Sequence, residues 1–408
     1  MATPSGATVC LLHGLIGAGQ PLLLVHPRTT AEERRRLLGA VAHQPLIEPA
    51  ALELDGHASD PPGGVPDDER PLALVPTSGS SGAPKAAVLS RRAFVASARA
   101  SAARLPLGAD DRWLCCLPLA HVGGFSILTR CLLARRSVVL VEPKPDRDAP
   151  SAEQILTAIE RERPSLISLV PTQLKALLEL GLRAPGSLRA VLLGGAGCSP
   201  ALLEEARGRG LPVLTSYGLT EACSTVTMAA LPPGEHQGAG RPLPGIEVRV
   251  AAGQIQVRGP TLFSGYEPVS PSPEGLTSDG WLPTGDAGRF DAEGNLHVRG
   301  RQGELIVTGG ENVSPAEIEA TLERCPGVAA ACAFGLPDDT WGEVVCAAIV
   351  PASSGLDRDT LAGFVRTNLA SFKRPRRIAV VAELCLGPTG KLDRRATRAA
   401  AADKLEPL

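Results

Sequence analysis

A strong charge of either sign is missing from the chain: 41 Lys and Arg stand against 43 Asp and Glu, a formal balance of −2. Neutralising a phosphate backbone takes a clear excess of basic side chains, so nucleic acid is excluded as the main partner. No apolar run approaches the roughly 20 residues that a helix needs to cross a bilayer, so membrane insertion is not expected. The opening "MATPSGATVCLLHGL" has no basic segment followed by an adequate apolar one. No signal peptide is therefore expected, and the cytoplasm is the expected compartment. Ten cysteines are scattered with no CxxC spacing, which argues against zinc and for reduced, mostly buried thiols. Aromatic residues are scarce at 3%, and only six lysines occur among 408 residues. What is present, 44% hydrophobic and 21% charged residues, describes an ordinary globular protein. At this length two or three domains are expected.

The apolar pattern predicts an α/β fold. Residues 1–60 hold a strand-like run, "PLLLVHP", and a capped helical run, "TTAEERRRLLGAV"; the Pro- and Gly-rich segment 55–70 reads as a loop or linker. The series "SLISLVP", "TQLKALLEL", "RAVLLGG", "SPALLEEARGRG", "PVLTSYG" alternates strand and helix, the pattern of a parallel sheet with crossover helices. Ligands of such sheets bind beyond the carboxyl ends of the strands. That places "GGAG" (194–197) and "SYGLTE" (216–221) on the binding edge. From about 245 short strands follow: "IEVRV", "QIQVRG", "NLHVRGR". After "GRQGE" (300–304) a small α+β unit begins, in which Ser314 can cap a helix, Pro315 fits its first position and Glu317 completes a capping box.

One stretch, "PTSGSSGAPKAAV" (76–88), carries chemistry by composition alone. Gly79 and Gly82 free the backbone to turn several N–H groups inward, Thr77, Ser78, Ser80 and Ser81 add hydroxyls, and Lys85 adds a positive charge. Together they make an anion nest of polyphosphate size. It is neither a Walker A loop nor a G-x-S-x-G nucleophile elbow, since Ala83 breaks both patterns. The alternative is a flexible Ser/Gly linker.

"TSGSSGAPK", "SYGLTEA", "PTGDAGRFDAEGNLHVRGR", "GGENVSPAEIE" and "PTGKLDRR" occur in that order between about 70 and 395. In this the chain resembles the adenylate-forming superfamily of acyl-CoA ligases, luciferases and peptide-synthetase adenylation domains. "PLAHVGGFSILTRCLLARRSVVL" and "LLGGAGCSPALLEEARGRGLPVLTSYGLTEACS" look most like the o-succinylbenzoate–CoA ligases of menaquinone biosynthesis. The resemblance implies that a carboxylate attacks the α-phosphate of ATP, giving an acyl-adenylate, and that the thiol of CoA then displaces AMP. It implies a large domain over 1–300 with an abbreviated N-terminal subdomain, a hinge at 301–303 and a small mobile domain over 304–408. Gly303 stands at the hinge where the family often has Asp or Lys, and glycine can absorb the rotation.

Residue by residue, the resemblance assigns the Thr77–Lys85 loop to the β- and γ-phosphates, Thr220 to the α-phosphate and Glu221 to Mg²⁺. Tyr217 with Gly218, and Gly195 with Ala196 in the Gly194–Gly197 backbone, would receive the adenine. Asp286 would hold the ribose, and Arg301 would reach the same ribose or the phosphate. Lys391 would bridge the reacting carboxylate and the α-phosphate, and His121 would orient the acid at the mouth of its pocket. Arg130 is either the partner of a second, aromatic carboxylate or a surface arginine. "FKRPRR" (372–377) could meet CoA phosphates and "TGGEN" (308–312) line its tunnel. A homodimer is a further expectation. Rival readings are a ligase for another aryl or acyl acid, a loader of a carrier-protein thiol, and a hydrolase using "LLHGLIGAG" as an oxyanion loop. A fourth, a dead nucleotide-binding regulator, is opposed by the joint presence of Lys85, Glu221, Asp286, Arg301 and Lys391.

Overall fold

The computed structural model describes residues 5–26, 29, 31–40, 68–77, 85–144, 150–232, 238–267, 275–302, 306–308, 311–338, 341–352, 355–369, 371–387 and 391–408. The expected alternation forms a seven-stranded sheet. Strands Leu166–Leu169, Ala190–Leu193 and Val213–Leu219 run parallel, with helices Pro171–Glu179 and Pro200–Gly208 as their crossovers. Arg112–Cys115 and Ser137–Leu140 extend the sheet in parallel on one side. Ser224–Met228 and Arg241–Pro242 extend it antiparallel on the other. Successive side chains turn to opposite faces: Leu166, Leu192 and Leu214 enter one hydrophobic cluster, while Ile167, Val191 and Val213 enter another. A sheet covered on both faces explains why "LISL" and "AVLL" are unbroken apolar runs.

Two four-stranded sheets flank this core. One contains Leu22–Leu23, Pro71–Thr77, Lys85–Ser90 and Tyr266–Glu267, with Thr77 opposite Lys85. The other contains Glu247–Ala251, Gln254–Arg258, Leu282–Phe290 and Leu296–Arg301, with Asp286 opposite Arg301. A further sheet is built on the long hairpin of Val328–Asp338 and Gly342–Pro351, with helices Pro315–Leu322 and Arg358–Asn368 packed on it through Ile318, Leu322, Leu361 and Val365. This unit is docked on the parallel-sheet unit: Lys175 Nζ donates to the Ala329 carbonyl at 2.8 Å. Among the described residues no helix is long and apolar enough to cross a membrane.

Two local expectations are corrected. Ser314 does precede helix Pro315–Leu322, but its side chain caps nothing. Its hydroxyl donates instead to the Arg299 carbonyl, and Glu317 is drawn away by Lys373 at 2.6 Å. The hydroxyl thus ties the small unit to the strand that leads into it. Nor is "LLHGLIGAG" an oxyanion loop, because residues Gly6–Gly17 are helical, capped by the Ser5 hydroxyl accepting from Thr8 N at 3.2 Å. The helix is apolar on most of its surface and so lacks the amphipathic stripe by which such elements are read from sequence.

The parallel sheet is anchored at Asp111, 8% exposed beside strand Arg112–Cys115. It accepts from Arg189 Nη2 at 2.5 Å, Ser165 Oγ at 2.6 Å and the Gly108 amide at 2.6 Å. Burial pushes its carboxyl up, and the hydrogen bonds from Arg189, Ser165 and Gly108 outweigh that and hold it at about 2. The folded value lies below the unfolded one, so the stabilisation is complete above about pH 4 and lost as pH falls through about 2. Asp111→Ala, which strands the Arg189 charge, is expected to cost about 3 kcal/mol in urea unfolding at pH 7, the gap from wild type narrowing below pH 3. An unchanged unfolding midpoint at pH 7 would remove this anchor from the account.

Candidate active site

The carboxyl ends of strands Ala190–Leu193 and Val213–Leu219 open onto the loop 194–197 and the short helix Thr220–Ala222. Glycine is required twice. Gly195 has φ +79°, and a side chain on Gly218 would begin 1.8 Å from the Ser224 carbonyl oxygen. Between these glycines Tyr217, 9% exposed, donates its hydroxyl to Asp286 Oδ2 at 2.7 Å. Asp286 in turn meets Arg301 Nε at 3.1 Å, and Arg301 Nη1 donates to the Thr284 carbonyl at 2.7 Å. Burial first, and then the Asp286 charge, push the Tyr217 phenol well above its ordinary range, so it stays a donor. Arg301 is therefore the last residue of a paired strand, fixed opposite Asp286.

Lys85 Nζ lies 3.7 Å above the centre of the Tyr266 ring. The Tyr266 hydroxyl donates to Glu221 Oε1 at 2.8 Å, and the backbone of Glu221 is held by Phe263 N at 2.8 Å. Lys85 and Glu221 thus face one another through an aromatic ring. The Thr77 hydroxyl beside them is buried and has no hydrogen-bond partner among the described residues. Ser78, Gly79, Ser80, Ser81 and Gly82 lie outside the described residues. No group of three or more His, Cys, Asp or Glu able to hold a metal occurs among the described residues. Glu221 offers a single carboxylate, which fits a Mg²⁺ that takes its remaining ligands from phosphate oxygens and water.

Lys391 arrives from the small unit. Its loop is closed by a bridge between Leu386 and Leu392 and by Gly387 N donating to the Lys391 carbonyl at 2.7 Å. Asp393 then caps helix Arg394–Ala401, and Arg394 anchors that helix on Glu319 at 2.8 Å. The lysine stem crosses the 194–197 loop so closely that a Cβ on Gly195 would lie 3.8 Å from Lys391 Cε. Although the residue keeps solvent exposure along its length, loss of hydration and the like charge of Arg301 lower its pKa from the ordinary lysine value, and Asp286 opposes them. Lys391, the 194–197 loop and the Asp286–Arg301 pair are thus brought together.

His121 precedes helix Val122–Ala134 on the third side. Its ring lies 5.1 Å from that of His26, and its Nε2 is buried without a partner among the described residues. Burial, then His26, then Lys391 push its pKa down to about 4. Along the same helix face, Ser126 Oγ is 3.2 Å from Ser224 Oγ and Arg130 Nη2 donates to Thr225 Oγ1 at 3.0 Å. Arg130 is 4% exposed, is no surface arginine, and has no carboxylate partner among the described residues. Burial lowers its pKa to about 10, which leaves it charged at neutral pH. The facing backbone is strained: Cys223 and Ser224 have φ of 55° and 88°, held by Ser97 Oγ donating to the Cys223 carbonyl at 2.7 Å. Such non-glycine conformations cost roughly 1–3 kcal/mol each and concentrate at binding sites.

Sequence reasoning missed Tyr266 and His26. A signal for the first was present, since the chain contains only two tyrosines and both donate to candidate site carboxylates. The sequence of residues 1–267 matches the AMP-binding enzyme family, and 317–391 matches the AMP-binding enzyme C-terminal domain. The 2-succinylbenzoate–CoA ligase of Bacillus licheniformis is 38% identical over 333 residues, which are 79% of this chain and 68% of that protein. Its counterpart in Bacillus pumilus is 35% identical over 95% of this chain and 84% of that protein. The solved o-succinylbenzoate CoA synthetase of Bacillus subtilis in complex with ATP and magnesium aligns with a TM-score of 0.78 at 31% identity, over 98% of this chain and 83% of that one. The same synthetase with the acyl-adenylate intermediate OSB-AMP aligns with a TM-score of 0.77 at 31% identity, over 97% and 81%. The chain belongs to the AMP-binding enzyme family and resembles the 2-succinylbenzoate–CoA ligases within it.

Proposed function

We propose that the chain is an ATP-dependent acid–CoA ligase that joins o-succinylbenzoate to CoA through an acyl-adenylate. The observation that carries this reading is the position of Lys391, lodged over Gly195 and beside Asp286, Arg301 and His121. A cation there lies between the nucleotide edge and the acid's pocket, where negative charge gathers as a carboxylate attacks a phosphate. The attack forms the acyl–O–phosphorus bond and releases pyrophosphate; the CoA sulfur then forms the thioester and releases AMP. The protein supplies position and charge for both steps. Lys85 and the 77–82 loop take the β- and γ-phosphates, Thr220 the α-phosphate, and Glu221 the magnesium of the ATP complex. Asp286 and Arg301 take the ribose, and Tyr217, Gly218, Gly195 and Ala196 frame the adenine. Residues 1–300 form the large domain, 301–303 the hinge and 304–408 the domain that rotates to admit CoA, whose phosphates meet the basic run 372–377. The burial of seven of the ten cysteines suits a reducing cytoplasm.

The choice of acid rests on Arg130. A buried guanidinium whose Nε has no partner among the described residues suits an anion on the acid. The second carboxylate of o-succinylbenzoate supplies one. Ligation of another aryl acid, or transfer to a carrier-protein thiol, is the competing reading.

The deciding assay is AMP and thioester formation from ATP, Mg²⁺ and o-succinylbenzoate, with and without CoA, against benzoate and a fatty acid. Thioester formation favouring o-succinylbenzoate is expected. AMP formation with a different acid only would discard the substrate and keep the chemistry. Arg130→Leu should lower kcat/KM for o-succinylbenzoate about 100-fold, change that for benzoate little and leave Tm no lower, since a buried charge is removed with an apolar replacement. Lys391→Ala should slow acid-dependent ATP–pyrophosphate exchange on the order of 10²–10³-fold while thioester formation from supplied acyl-adenylate stays within a few fold. Intact exchange in that variant would sink the mechanism.

A further inference from the structure

His26 comes from far outside the motifs that define the site. Strand Leu22–Leu23 pairs in parallel with Ala73 and Leu74, and Leu24 N donates to the Leu74 carbonyl at 3.1 Å. Leu24 and Val25 are buried at 2% and 1% exposure, so the backbone that carries His26 is fixed at the edge of this sheet. Its ring is thereby set against His121, with centroids 5.1 Å apart and planes inclined by 36°. His121 makes no capping hydrogen bond at the start of its helix, and its Nε2 is buried without a partner among the described residues. An orphaned imidazole nitrogen, backed by a second imidazole and facing Lys391, is a group kept ready for a ligand atom.

We propose that His26 is a positioning residue for the acid: its ring holds His121 in place as a neutral group whose Nε2 hydrogen-bonds an oxygen of the reacting carboxylate. This rests on the acid-activating reading given above. Neutrality has a chemical purpose. An imidazolium would pair with the carboxylate and draw off the charge it needs for attack, stabilising the ground state more than the transition state. A neutral imidazole orients the nucleophile without doing so. The charged and titratable groups facing His121 are His26 from the N-terminal sheet and Lys391 from the small domain, with Arg301 and Asp286 behind the lysine. A proton on His121 would meet the Lys391 cation while that lysine is docked. The helix start beneath it disfavours a cation further.

The test compares wild type with His26→Ala and His26→Phe. With histidine labelled at Cε1 and the His121 resonance identified by its loss in His121→Gln, wild type should show no His121 titration above pH 5. In His26→Ala, where water reaches the ring, the midpoint should rise by a unit or more towards the ordinary imidazole value. This readout needs no substrate, so it stands even if the choice of acid is wrong. In the adenylation assay, His26→Ala should raise KM for the acid about tenfold and leave KM for ATP within twofold. His26→Phe, which restores a ring of similar size, should recover most of that loss and guards against a folding defect in the alanine variant. Identical His121 titration in wild type and His26→Ala, or an equal rise in both KM values, would overturn the proposal.

Discussion

The Tyr217–Asp286 hydrogen bond joins two sheets that have no strand in common. Tyr217 lies within strand Val213–Leu219 of the seven-stranded sheet, and Asp286 sits within an antiparallel strand of a four-stranded one. A buried phenol donating to a carboxylate is worth roughly 1.5–3 kcal/mol, enough to fix how the sheets meet. From that join the rest follows in sequence. Asp286 fixes Arg301 across the ladder, at the last residue of its strand. The lysine delivered by the small domain then finds an aspartate and an arginine already immobilised. Tyr217, Asp286 and Arg301 are consequently held as firmly as the two sheets, although they are far apart in sequence.

Much of this was legible in the sequence because two periodicities are physical signals. The alternation of apolar runs and helical patterns between 165 and 219 could fold only as crossovers onto a parallel sheet, and it did. Lys85, Glu221, Asp286 and Lys391 are ordinary surface residue types taken singly, and it is the motifs around them that mark them as candidates for anion and cation handling. What could not be read were pairings set by tertiary contact. Nothing near residue 26 reports that a backbone hydrogen bond to Leu74 will lay its imidazole on His121. The pattern Ser314-Pro315-Ala316-Glu317 satisfies the local rule for a capping box, yet both side chains found better partners in Arg299 and Lys373. Local propensity lost to long-range bonds whose partners are 15 and 56 residues away.

Helix Val122–Ala134 shows the same division of labour in another form. A single helix face carries Ser126 and Arg130 towards a turn whose non-glycine backbone is strained at Cys223 and Ser224. Strain of this kind persists only where the surroundings over-determine it. Here Ser97, Ser126 and the close packing of Gly218 against the Ser224 carbonyl do so. The same turn supplies Glu221 on one side and Thr225 on the other, so one rigid corner positions both side chains.

The aromatic ring between Lys85 and Glu221 has a consequence for turnover. Opposite charges left to meet would neutralise one another, and each incoming nucleotide would first have to prise them apart. Tyr266 occupies the intervening space, giving its π face to the ammonium and its hydroxyl to the carboxylate. Both charges are satisfied, but neither by the other. The two charges are thereby held apart, the cation over the face of the ring and the anion at its hydroxyl end.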